Sequence, residues 1–367
     1  MTSSFTVIRD TTPADAIPRG AVIAMGNFDG VHLGHRAVIA SAQQMARRLG
    51  KPAFAVTFEP HPRKFFSPHT PQFRLTSEAD KLRLLAGTGL DGAVVMTFDA
   101  ERAGTSAQDF INHDLMARLG ISGIAIGYDF HFGKGRVGSP ALLRSEAPKL
   151  GIEVEVQPHV DIDERPISST AIRMALAEGQ IAEATAMLGG PWFVTGEVVH
   201  GEKRGRDLGY PTANLRLDPQ CGLRHGIYAV RVAVDGRPYD GVASFGRRPT
   251  FDNGAPLLEI FLFDFRGDLY GKVLDVAFIA YLRDEMKFDS AEALVRQCAA
   301  RGCLDRLELP WHRLLLDGRL PESIGGGIGQ SRLCMFLLRR RHIGEVQASL
   351  WPDHVIDRCR QERIILL

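Results

Sequence analysis

Short apolar runs recur along the first half of the chain, spaced so that each gap holds a helix. "AVIAM" (21–25), "AFAVTF" (53–58), "GAVVMTF" (92–98), "GIAIGY" (123–128) and "IEVEVQ" (152–157) are rich in β-branched residues and read as strands. Between them lie amphipathic segments such as "RAVIASAQQMARRLG" and "AQDFINHDLMARLG", with apolar residues at roughly 3.6 spacing. Strand–helix alternation predicts an α/β domain with a parallel sheet covered on both faces. Ligands in such sheets bind beyond the carboxyl ends of the strands, where loops feed helix N-termini.

Near "MLGGPWF" (187–193) the pattern changes. From there to residue 285 the strand-like runs follow one another directly: "FVTGEVV", "GIYAVRVAV", "YDGVASF", "LEIFLF" and "VLDVAFIAYL". Turn signals such as "DGRP", "FDNGAP" and "FRGD" separate them where helices stood before. Consecutive strands without crossovers predict a small antiparallel β-barrel. The 367 residues, 45% hydrophobic and 24% charged, suit an ordinary globular protein of two or three domains. A net charge of +1 removes the electrostatic case for a dedicated nucleic-acid binder. The first twenty residues hold no apolar h-region, and no apolar run is long enough to span a bilayer, so neither secretion nor a membrane partner is expected. Five cysteines without paired spacing fit a reducing cytoplasm. Self-association is left open.

The candidate chemistry begins at "GNFDGVHLGH", Gly26 to His35, between the first of these strand-like runs and a helix. A helix N-terminus offers unpaired N–H groups and partial positive charge to a phosphate, and glycines allow close approach. His32 and His35, at i and i+3, project from one side of the first turn. The plainer reading is a turn with two surface histidines. "ISSTAIR" (167–173) opens another helix, with Ser168, Ser169 and Thr170 as caps and Arg173 one turn in, a second anion grip or an ordinary capped helix. "GKGRVG" (133–138) matches Gly-x-Gly-x-x-Gly, but "DFHF" separates it from the preceding strand, and this is not the first strand of the sheet, so it is not read as a dinucleotide fingerprint.

"GNFDGVHLGH", "GYDFHFGKGRVGS", "ISSTAIR" and "GEVVHGEKRGRDLGYPTANL" occur in that order and together resemble the prokaryotic bifunctional riboflavin kinase/FMN adenylyltransferases, over roughly residues 15 to 295. The resemblance implies a Rossmann-like nucleotidylyltransferase domain that transfers AMP from ATP to FMN, giving FAD and pyrophosphate. It implies ATP binding by Gly26, Asn27, Phe28, Asp29 and Gly34, with His32 and His35 steadying the α-phosphate. Ser168, Ser169, Thr170 and Arg173 would close over the nucleotide, and Asp129, Phe130 and Phe132 would lie on the flavin side. The FMN phosphate is already an anionic nucleophile, so holding the phosphates in line and stabilising charge is sufficient.

In the barrel, the glycine-rich basic loop with Gly201, Lys203, Gly205 and Arg206 suits ATP phosphates, or is a solvated hairpin loop. Thr212 and Asn214, at i and i+2 of "PTAN", would share one strand face, where two oxygens suit Mg²⁺ or merely meet solvent. Glu259 interrupts an apolar strand. The pattern alone allows an edge-facing carboxylate or a catalytic one. The resemblance makes it the base for the riboflavin 5′-hydroxyl. "FGRRPTF" (245–251) also resembles a segment of the family, whereas Ser244 stands where the family more often has asparagine and is assigned no role.

Cys298, Cys303, Cys334 and Cys359 crowd the end of the chain, all eight lysines occur at or before Lys287, and arginines such as Arg339, Arg340 and Arg341 replace them. This shift marks a boundary near residue 298. The expected organisation is 1–186 adenylyltransferase, 187–297 riboflavin kinase and 298–367 an atypical tail. The tail reads as a poorly ordered extension or a shifted reading frame, with an extra helical domain as the alternative. Its cysteines and His312 and His342 lack the short paired spacing of a zinc site. Other functional classes are a chain with one active domain, a nucleotidylyltransferase for a different phosphate acceptor, and a non-enzymatic flavin store. Two intact motif sets favour two activities.

Overall fold

The computed structural model describes residues 5–162, 165–199, 212–247 and 256–284. The chain divides into two compact units, Met1–Trp192 with Gln220–Leu223, and Phe193–Pro219 with Arg224–Leu367.

The first unit is built on six parallel strands: β1 (Thr6–Arg9), β2 (Val22–Met25), β3 (Ala53–Glu59), β4 (Gly92–Thr97), β5 (Gly123–Gly127) and β6 (Glu153–Gln157). Their order is β1-β4-β3-β2-β5-β6. The period of two divides their side chains by size. Ile23, Met25, Val56, Val94, Ile124 and Ile126 fill one face, whereas Val22 and the alanines Ala24, Ala55, Ala93 and Ala125 line the other. The small side chains leave room for helix α1 (Leu33–Leu49), which sets Ile39, Ala42 and Met45 against them.

Helices α2 (Pro62–Phe66) and α3 (Glu78–Ala86) connect β3 to β4. Helices α4 (Ala100–Gly104) and α5 (Ala107–Asp109) precede β5, and α5 runs into a π-helical stretch, Phe110–Arg118. After α6 (Pro140–Glu146) and β6 come two short strands, β7 (Asp161–Ile162) and β8 (Arg165–Pro166), then α7 (Ser169–Glu178) and α8 (Ile181–Leu188). No described helix is long and apolar enough to cross a membrane.

The second unit is a closed antiparallel barrel, as the run of strand-like segments predicts. Its strands are β9 (Phe193–Val199), β10 (Ala213–Arg216), β11 (Gly226–Val234), β12 (Arg237–Arg247), β13 (Pro256–Leu262) and β14 (Val273–Arg283). They close in the order β10-β13-β12-β11-β14-β9. Tyr228, Phe245 and Phe278 are fully buried in it, with Tyr228 and Phe278 edge to face at 5.1 Å. Closure leaves β13 paired on both sides, so Glu259 is not on an edge.

Candidate functional site

In the first unit the site forms where β2 ends and α1 begins. His32 caps α1, its Nδ1 accepting the His35 N–H at 3.3 Å. The two imidazoles stack with centroids 3.6 Å apart, and Phe28 meets the His35 ring edge-on at 5.3 Å. Gly34 permits this stack, because a Cβ there would lie 3.2 Å from the His32 ring. Gly30, at φ +88°, turns the chain where a Cβ would strike Leu75 at 2.9 Å.

Asp29, 2% exposed, organises the surroundings. Its carboxylate accepts from the Leu75 and Thr76 backbone N–H groups at 3.0 and 3.1 Å, from the Thr76 hydroxyl at 3.2 Å, and from Arg173. Arg173 Nε also donates to the Phe73 carbonyl at 2.5 Å. Ser168 caps α7 through Ala171 N–H, and the Ser169 hydroxyl donates to the Asp29 carbonyl at 3.0 Å. The two motifs singled out in the sequence are thus one assembly, with the first turns of α1 and α7 joined through Asp29. Thr170 is exposed on α7.

A further set of side chains, not foreseen from the sequence, lies beside this turn. Lys81 on α3 contacts Glu59 at 2.7 Å, and Arg74 grips the same carboxylate at 3.0 and 2.6 Å. His61 caps α2 by accepting Arg63 N–H at 3.1 Å and lies 2.9 Å from Gln72 Nε2. The sequence signals were a carboxylate and a histidine closing the strand in "FEPHP", and a lysine within the apolar pattern of α3.

Burial pushes His32 down to about 4, with Arg173 adding to the effect and Asp29 opposing it. Burial also brings His61 to about 4, and holds His35 well below 6.5 with help from His32, Lys81 and Arg173. The rings are therefore neutral near pH 7. Because His32 Nδ1 accepts a backbone N–H, its proton sits on Nε2. In the unfolded chain these rings protonate near pH 6.5, so below that value the unfolded state binds protons that the folded unit refuses. Stability is fully present above pH 6.5 and is lost as pH falls toward about 4. Each ring should contribute a slope of about 1.4 kcal/mol per pH unit in that window. Melting temperatures measured across it should fall with pH, and less steeply in His32→Asn; a flat profile for the unmodified protein would contradict the neutral rings.

Asp129 is exposed, Phe130 is half-buried, and Phe132 is buried in the core beside Phe110 and stacked on Phe130. Gly133, Gly135 and Arg136 have positive φ in a loop closed by a bridge between Phe132 and Gly138. Past the carboxyl ends of β3 and β4, the exposed rings of Phe65 and Phe66 pack edge-on against the half-buried Phe98.

In the barrel, Asn214, Glu259 and Ser244 are register partners in one row across β10, β13 and β12. Asn214 is buried and Glu259 half-buried. Directly opposed side chains share a face, so these three converge. Thr212 is the residue before β10. Gly201, Lys203, Gly205 and Arg206 lie outside the described residues, as does most of "FGRRPTF".

Residues 14–171 match the FAD synthetase family, and residues 188–301 match the riboflavin kinase family. Residues 285–363, outside the described residues, match the aspartate-ammonia ligase family. The bifunctional riboflavin kinase/FMN adenylyltransferase of Pseudomonas fluorescens is 41% identical over 277 residues, 75% of this chain and 89% of that one. Its namesake in Escherichia coli K12 is 39% identical over 288 residues, 78% of this chain and 92% of that one. A crystal structure described as a macrolide-efflux protein from Streptococcus pneumoniae superposes with a TM-score of 0.70 at 32% identity, covering 83% of this chain and 99% of that one. With matched families for both units, and relatives this similar over most of their length, the chain belongs to the bifunctional riboflavin kinase/FMN adenylyltransferase family.

Proposed function

We propose that the chain makes FAD in two steps, with residues 187–297 phosphorylating riboflavin with ATP to FMN and residues 1–186 transferring AMP from a second ATP to that FMN. The observation that carries the second step is the joined pair of helix N-termini. Two stacked neutral histidines and the buried Asp29 with its Arg173 partner stand past the carboxyl end of β2, where parallel α/β sheets in general bind ligands. An oxygen of the FMN phosphate attacks the α-phosphorus of ATP, the new P–O bond forms, and pyrophosphate leaves. His32 donates from Nε2–H to a phosphate oxygen while charge accumulates there. His35 Nδ1, buried without a protein partner among the described residues, supports a ligand at the same place. Gly26, Asn27, Phe28 and Gly34 shape the turn around the phosphates. Asp29 and Arg173 act by fixing it, since both are engaged with the protein. The flavin ring lies on the aromatic side, against Phe130 or the exposed Phe66 group.

For the kinase step, Glu259 accepts the proton of the riboflavin 5′-hydroxyl as its oxygen attacks the γ-phosphorus of ATP, the bond to the bridging oxygen breaks, and ADP leaves. Thr212 and Asn214 offer neutral hard oxygens, the donor type Mg²⁺ takes when phosphate and water supply its other ligands. Asn214, buried opposite Glu259, fits that assignment. When bound, the ion neutralises charge on the transferring phosphoryl group. Gly201, Lys203, Gly205 and Arg206 are the ATP loop of this site. The substrates ATP, riboflavin and FMN suit a cytoplasmic enzyme, and the near-zero net charge assigns no nucleic-acid partner. Incubation with riboflavin, ATP and Mg²⁺, followed by chromatography, should show FMN first and FAD later. A flavin profile unchanged with time would overturn both assignments.

A further inference from the structure

The Lys81 network has no part in the reaction as proposed, yet it touches the phosphate turn. Lys81 is 1% exposed, and its ammonium meets Glu59 Oε1 at 2.7 Å, Thr57 Oγ1 at 3.0 Å and the Asn27 carbonyl at 3.4 Å. The Thr57 hydroxyl also donates to that carbonyl, at 3.1 Å. A buried ammonium is costly, and burial pushes the Lys81 pKa down while Glu59 opposes it. An apolar residue would pack at this position of α3 without that cost. A lysine buried there therefore calls for a task.

The turn provides one. Phe28 and Val31, neither of them glycine, have φ of 51° and 41°. Such conformations are strained for residues with a Cβ and persist only where the surroundings fix them. On the far side of Phe28, Asp29 is held by residues 75–76 and Arg173, and Gly30 N–H donates to Thr76 Oγ1 at 3.2 Å. On the near side, the carbonyl just before Phe28 is the one that Lys81 and Thr57 hold. Charge points the same way. Arg74, Lys81 and Arg173 face two carboxylates, Glu59 and Asp29, so this cluster carries a surplus positive charge beside the N-terminus of α1.

We propose that Lys81 is a positioning residue for adenylyl transfer: its ammonium clamps the Asn27 carbonyl and so holds the turn that presents its backbone N–H groups, His32 and His35 to the ATP phosphates. This rests on the adenylyltransferase reading of the site. Glu59 orients the ammonium, Arg74 anchors Glu59, and Thr57 completes the grip on the carbonyl.

The simpler role for Lys81 is to neutralise Glu59, and the two roles separate experimentally. The Lys81→Met, Glu59→Gln double variant removes both charges together. The amide oxygen still accepts from Arg74, whose side chain is 24% exposed, so the variant should melt near the unmodified protein, yet lose about 100-fold in kcat/KM for converting FMN to FAD. KM for ATP, measured with FMN as acceptor, should rise, which partial unfolding would not cause. Riboflavin phosphorylation in the same sample should be unchanged. Unaltered adenylylation in the double variant would reduce Lys81 to a counter-ion and overturn the proposal. If the double variant melts early, Lys81→Arg decides, because it keeps charge and ion pair but replaces the compact ammonium with a planar fork. The clamp predicts a raised KM for ATP in Lys81→Arg, and an unaltered KM overturns it. Unmodified protein that leaves FMN untouched would overturn the reaction reading, and this one with it; turnover by the unmodified protein with unaltered variants would overturn the Lys81 role alone.

Discussion

Arg173→Ala is expected to stop the conversion of FMN to FAD and to lower the melting temperature of the first unit, while riboflavin phosphorylation continues. The reason is Asp29. Its carboxylate is 2% exposed and accepts from two backbone N–H groups, one hydroxyl and the Arg173 guanidinium. Removing the guanidinium leaves a buried carboxylate without its cation, a loss of about 3–5 kcal/mol. The loss falls on the catalytic geometry as well, because Arg173 also holds the Phe73 carbonyl and Ser169 holds the Asp29 carbonyl. Lysine cannot replace the fork, since one ammonium must then serve both Asp29 and Phe73. Arg173→Lys should therefore retain more stability than Arg173→Ala but recover little adenylylation. The check is a thermal melt beside flavin chromatography of the same samples. Full adenylylation by Arg173→Ala would mean that the α7 turn does not shape the phosphate site.

The parts of this architecture legible in the sequence are those set by local periodicity. Strands β2 to β6 fall within a residue or two of the strand-like runs; β2 to β5 are buried on both faces and so are written as continuous apolar sequence, whereas the edge strand β6, "EVEVQ", shows by its alternation. β1 leaves no such trace: four residues long and with Ile8 alone buried, it carries almost no pattern. The segment "AQDFINHDLMARLG" reads as a helix, but its π-helical winding over Phe110–Arg118 has no such signature. The His32–His35 pair was readable because i and i+3 on a helix meet by geometry. Asp29 and Arg173 were each singled out, yet the bond between them spans 144 positions and follows from the fold alone. Lys81 and Glu59 were missed for the same reason. A lysine in an apolar stripe normally marks a solvated edge, and its counter-ion comes from a different element. In the barrel, Asn214 and Glu259 were named separately, but their facing positions depend on strand register, which turns and bulges fix at a distance. At the end of the chain, loss of lysine placed a boundary near residue 298, and the aspartate-ammonia ligase match begins at 285.

Glu259→Ala should block riboflavin phosphorylation by about 10²–10⁴-fold, the usual worth of a positioned general base, while added FMN is still converted to FAD. The barrel supplies the geometric reason. Glu259 occupies the middle of a row with Asn214 on one side and Ser244 on the other, so its carboxylate shares a face with the residue proposed as an oxygen donor for Mg²⁺. Leu258 and Ile260, its neighbours along β13, point to the opposite, buried face. That alternation fixes the direction of the carboxylate without needing it for the core, so truncation should cost chemistry far more than stability. Glu259→Gln sharpens the test, since the amide keeps the size and one accepting oxygen but cannot take a proton at neutral pH. Both variants should therefore fail alike, with KM for riboflavin little changed and the defect in kcat. If Glu259→Gln retains kinase activity while Glu259→Ala does not, the side chain positions substrate instead of accepting the proton. The 5′-hydroxyl would then have to lose its proton to another group in the row or to solvent. Because the adenylyltransferase site is built entirely within the first unit, its rate on added FMN in the same preparation separates a damaged catalytic row from a damaged protein.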